Sequence, residues 1–189
     1  MMKLLSFLFL FSAALNAQEA LIESILKDVN RDSSDKVCKS IFDNLYESFE
    51  SDEGLVNKKM GLATSDLIDY KMGMKSINRQ LALLLDGYMN SLSDPIKALK
   101  WIAAMKQEYA NIYHTSHPLI LLYEGESMIN GKRAADAYKH FEGFLKLYPK
   151  SVMAWVYLYK MEPDKRMAKT WLSILKSEHP NHWVVKELQ

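Results

Sequence analysis

Apolar positions recur at intervals of three and four along most of the chain, the period that places side chains on one face of an α-helix. Leu21, Ile22, Ile25, Leu26 and Val29 form one such face. Val37, Cys38, Ile41, Phe42, Leu45, Tyr46 and Phe49 form a second, with Ser33 and Ser34 ahead of it as expected caps. The stretch from Glu47 to Gly54, with Glu47, Glu50, Asp52 and Glu53, reads as a solvated polar turn before an apolar run from Leu55 to Leu62. From Ser65 to Met89 the helical period returns in Leu67, Ile68, Met72, Met74, Ile77, Leu81, Leu84, Leu85 and Tyr88, and Gly73 is where this helix would bend. Further helices are expected from Pro95 to Tyr113, Pro118 to Ile129, Lys132 to Leu147, Val152 to Met161, Lys165 to Lys176 and His182 to Leu188. Two of them open on proline, whose missing N–H costs nothing in a first turn. With 7 glycines, 5 prolines and no alternating β-branched run, there is little material for strands, so the fold class is all-α.

The later helices echo one another. Leu121, Gly125, Ala137, Phe141 and Pro149 are followed by Trp155, Tyr159, Ala168, Leu172 and Pro180 in the same order. An eroded copy stands upstream in Leu83, Gly87, Ala98 and Ile102, without the closing proline. This order of small, small, bulky and proline positions resembles the tetratricopeptide repeat, whose period is about 34 residues. The resemblance runs from about Leu81 to the C-terminus. It implies antiparallel helical hairpins stacked as a short right-handed solenoid, with N-terminal capping helices from the 18–77 region and a short C-terminal cap. Gly125 and Ala137 would let the two helices of a hairpin approach closely, and Phe141 would wedge into the next repeat. The division expected on this basis is 1–17 as a leader, 18–77 as a helical cap region and 78–189 as repeats.

Stacked hairpins build binding surfaces. The resemblance implies a concave groove lined by the first helix of each hairpin, which selects Leu84, Tyr88, Leu122, Glu126, Val156 and Lys160 as partner-binding residues. This surface is apolar and aromatic with one acid and one base, and it suits an extended peptide or a partner helix. Covering of the same residues by the N-terminal helices is the competing arrangement. The segment from Phe141 to Ser151 resembles repeats of periplasmic cell-envelope adaptors, which implies a protein partner in the envelope.

Export is expected from the first residues: Met1, Met2 and Lys3 precede an apolar run from Leu4 to Leu15, and Leu15-Asn16-Ala17 offers a small residue before a cut after Ala17. The run is too short for a membrane span of roughly 20 residues, so no stable membrane insertion is expected once the leader is removed. A periplasmic or secreted product follows. One of the 24 basic residues, Lys3, lies in the leader, so the rest of the chain balances its 23 acids and offers no basic surface for nucleic acid. Cys38 is the single cysteine and falls on an apolar stripe, which suits a buried thiol without a disulfide. No Asn-x-Ser/Thr acceptor occurs.

Catalytic signatures are sparse. Four of the 5 histidines fall in two similar loops, His114-x2-His117 and His179-x2-His182, and are expected at the surface; His140 lies on a helix. The loops lack the accompanying cysteines or carboxylates of a zinc pattern. No H-E-x-x-H, G-x-S-x-G, G-x-G-x-x-G or P-loop sequence occurs. The leading expectation is a non-enzymatic, exported interaction adaptor or scaffold without metal or cofactor. The alternative is a small exported metal-binding protein or hydrolase using the histidine loops.

Overall fold

The computed structural model describes residues 16–27, 31–52 and 78–188, which are helical almost throughout. The apolar run from Leu4 to Leu15, the stretch from Leu55 to Leu62, the bend at Gly73 and the helical pattern from Ser65 to Ile77 lie outside the described residues. Residues 16–27 form α1. There follow α2 (Lys36–Glu50), α3 (Arg79–Met89), α4 (Pro95–Tyr113), α5 (Pro118–Asn130), α6 (Ala134–Leu147), α7 (Val152–Met161), α8 (Lys165–Glu178) and the single turn α9 (Trp183–Lys186). Among the described residues there is no strand, only an isolated antiparallel bridge between Asp52 and His182. The protein is all-α.

Short polar side chains start most of these helices by accepting otherwise unpaired backbone N–H groups. Asp35 accepts from Val37 and Cys38 at the head of α2, in place of the expected Ser33 and Ser34. Asp94 accepts from Lys97, Ser151 from Ala154, and Asp164 from Arg166 and Met167. Pro95 and Pro118 occupy first-turn positions as expected. Helix α6 starts at Ala134, two residues later than its expected start at Lys132, because Lys132 sits at φ 59°, a left-handed turn conformation that no helix accommodates. His114, at φ 57°, ends α4 in the same way.

From α3 onward each helix packs on the next, as short connections demand. Helix α2 behaves differently: it lies across α3, α5 and α7, every second member of the series. Among the described residues two apolar cores result. One joins Cys38, Ile41, Phe42 and Leu45 of α2 to Leu81, Leu84, Leu85 and Tyr88 of α3 and to α4 and α5, with Ile22, Ile25 and Leu26 of α1 against it. The other joins α5 to α9, with Tyr46 and Phe49 of α2 against it. The Cys38 thiol is buried and unbridged.

Among the described residues, two close approaches between helices depend on glycine. A Cβ on Gly125 would stand 2.3 Å from the Phe141 ring, and one on Gly87 would stand 2.6 Å from Trp101. Phe141 also stacks on Tyr157, with ring centroids 4.7 Å apart and planes at 19°. The ring is therefore wedged between α5 and α7. In the upstream copy Trp101 takes the place against the glycine, while Ile102, expected there, is buried beside it.

Candidate functional site

The face formed by α3, α5 and α7 is where a groove is expected, and α2 occupies it. Leu84, Tyr88, Leu122 and Val156 are buried, at 0%, 1%, 2% and 0% exposure, in the two cores to which α2 contributes. Glu126 is partly buried and accepts a hydrogen bond from the Tyr157 hydroxyl. Lys160 alone of the six is exposed. Helix α2, which precedes these helices in the chain, is what packs against this face. The physical reason lies in α2 itself: an amphipathic helix with seven apolar residues on one face must bury that face.

Polar contacts fix how α2 sits. Glu50, in its last turn, accepts hydrogen bonds from the Ser151 hydroxyl, from the Val152 N–H at 2.7 Å and from the Met153 N–H at 3.4 Å. A side chain of α2 thus caps α7, a helix that begins about a hundred residues further along the chain. The carboxylate lies at the positive end of the α7 dipole. Burial nonetheless raises its pKa, outweighing the lowering by Ser151, Val152, Met153 and Tyr46. Glu50 was expected in a solvated turn, yet it continues the α2 stripe four residues after Tyr46. That continuation by an acid was the available signal.

His117 holds the middle of α2. Its Nδ1 accepts the Leu119 N–H at 3.1 Å and so caps α5, which leaves the proton on Nε2 to donate to Asp43 of α2 at 3.1 Å. The ring lies edge-on to Phe42 and Tyr46 of α2 and to Tyr109 of α4. Burial lowers its pKa, against the raising influence of Asp43. At the head of α2, Asn78 donates to the Asp32 carbonyl at 2.6 Å and accepts the Asp32 N–H at 2.9 Å. Tyr113 donates to the Asp35 carbonyl at 3.2 Å.

The histidine loops do not converge. His117 and His182 are buried at 5% and 2% exposure, a correction to the expected surface placement, whereas His114 is exposed and His179 half-buried. Both ring nitrogens of His117 are engaged by protein groups, so that ring cannot ligate a metal without breaking a cap. His140 bonds the Leu121 carbonyl through Nε2 at 2.7 Å, with the Glu124 carboxylate 3.9 Å from Nδ1. Among the described residues no three His, Cys, Asp or Glu side chains are arranged to hold a metal ion. No described helix is long and apolar enough to cross a membrane. Compared with family models, with curated proteins and with solved structures, the chain matches none.

Proposed function

We propose that this chain is an exported, non-enzymatic helical-repeat adaptor of tetratricopeptide type, which holds a peptide or helix of another envelope protein after its leader is cut behind Ala17. In this reading α3 with α4, α5 with α6 and α7 with α8 are the hairpins of a short right-handed solenoid, and α9 is its C-terminal cap. The observation that carries the reading is the seating of α2 across α3, α5 and α7. A face assembled from alternate helices that takes an amphipathic helix is the geometry of helix-in-groove recognition. The Phe141 ring wedged between Gly125 and Tyr157 supports the repeat assignment.

Helix α2 is then the resident occupant of the concave face, and a partner either displaces it or uses another surface. Affinity capture from the envelope fraction by the tagged chain tests the reading, beside a Glu50→Ala variant of unchanged helicity. Retention of one protein by the wild type, and more of it by Glu50→Ala, is the result expected for competition with α2. Equal retention assigns the interaction to a surface outside the groove. Capture of nothing, with stoichiometric zinc surviving dialysis, overturns the adaptor in favour of the metal-binding alternative.

A further inference from the structure

We infer that a cavity of about 540 Å³ between α7 and α8 is a recognition pocket for an aromatic side chain of a polypeptide partner. Its walls are Trp155, Trp171, Ile174 and Leu175, exposed Lys150 and Glu178 stand at its rim, and half-buried His179 also lines it. A mostly apolar cavity of this size is in the range that holds a drug-sized ligand, room for an aromatic side chain together with its flanking backbone. The two indoles meet edge to face, with centroids 5.8 Å apart and planes at 77°. Trp155 is held in place by its N–H, which donates to the Pro149 carbonyl at 3.2 Å. Leu175 is buried at 3% exposure and forms the floor, while Ile174 stands 46% exposed.

The preceding helix pair shows that the fold does not require this aromatic corner. Counted from the N-caps, Trp155 stands four residues after Ser151 as Leu121 stands four after His117. Trp171 stands seven after Asp164 as His140 stands seven after Arg133. At that station α5 and α6 use a leucine and a histidine bonded to its carbonyl. Two tryptophans there pack against the core yet keep part of their rings at the surface, a pattern that belongs to recognition. The charges at the rim select the ligand further. Lys150 and Glu178 are opposite in sign, and among the described residues neither forms an ion pair. A ligand of one sign gains from one rim group and is repelled by the other, so an aromatic residue flanked by both signs fits best.

The proposal rests on the adaptor reading for the source of the side chain, but the pocket is tested alone. The full chain labelled with 5-fluorotryptophan gives a ¹⁹F resonance for each of its 4 tryptophans. Blocked Ac-Glu-Phe-Lys-NH₂ is expected to shift the Trp155 and Trp171 resonances saturably, with Kd on the order of 1 mM. Trp101, packed on Gly87, and Trp183, bonded to the Phe49 carbonyl, should not move. Ac-Glu-Phe-Glu-NH₂ and Ac-Lys-Phe-Lys-NH₂ should bind several-fold more weakly, and N-acetylglycinamide should shift nothing. Trp171→His, which installs the residue of the preceding pair, assigns its own resonance and should abolish the Trp155 shift. Ile174→Lys serves as the second variant, with helicity checked for both. No saturable shift, a uniform shift of all four resonances, or an undiminished Trp155 shift in both variants overturns the pocket. Equal binding of the three charged peptides overturns its charge selection. Because the titration needs no cellular partner, failure of the pocket and failure of the adaptor are separate results.

Discussion

Glu50 and His117 illustrate how single side chains tie α2 to the rest of the protein. Removing the Glu50 carboxylate leaves the Val152 N–H without its cap, so Glu50→Ala is expected to lower stability by about 1–3 kcal/mol in urea denaturation. The titratable groups then oppose one another with pH. His117 has a lowered folded pKa, so the unfolded chain takes up protons first, and stability is lost as pH falls from the ordinary imidazole value of about 6.5 through the folded one. His117→Asn keeps a capping oxygen for Leu119 and should flatten the acid limb of stability measured from pH 7 to 5. Burial raises the pKa of Glu126, more than the Tyr157 bond lowers it, so this group contributes most below the ordinary carboxyl range and loses its contribution as pH rises through the folded value. Glu126→Gln should therefore gain stability over the wild type at pH 8, with the gap closing in acid. Residue type made Cys38 legible as a buried thiol. It did not reveal His117, because a histidine before Pro118 reads as loop until its Nδ1 is seen to accept the Leu119 N–H.

Helix starts were legible wherever a cap and a proline or polar turn coincided. Pro95, Pro118, Val152 and Lys165 begin helices at the expected residues. The late start of α6, set by left-handed Lys132, has no such signature because the residue is not glycine. Gly125 and Gly143 both lie in helices, and the repeat pattern marks only Gly125 for a close approach. A methyl group on Gly125 collides with Phe141, while one on Gly143 meets nothing within 4 Å. Gly125→Ala should cost about 1–3 kcal/mol through overpacking. Gly143→Ala should add about 0.5–1 kcal/mol through helix propensity. Thermal melts of the two variants by circular dichroism check both signs, and Phe141→Leu should recover part of the Gly125→Ala loss.

For the whole molecule, the all-α class followed from periodicity, whereas the seat of α2 did not. An amphipathic stripe states that a face needs cover and carries no address for the surface that covers it. That address is written in distant complementary residues, Asp43 for His117 and Glu50 for Ser151. Phe42 is buried at 1% exposure in the core shared with α3, α4 and α5. Phe42→Ala should cost about 3–5 kcal/mol and speed amide exchange in α3, α5 and α7 along with α2. An effect confined to α2 would mean that it is a detachable passenger.

The Glu50 cap also sets an order of events during synthesis. Helix α2 leaves the ribosome well before α7 exists, and Ser151 follows Glu50 by 101 positions. At about 5–20 residues per second, that gap leaves the C-terminal turn of α2 without its final seat for on the order of 5–20 s. Helix α2 meets α3 and α5 as they emerge, and its Glu50 end reaches α7 only afterwards. The nascent chain thus carries the Tyr46 to Glu50 end of α2 unseated until α7 emerges, a form in which a holding chaperone would recognise it.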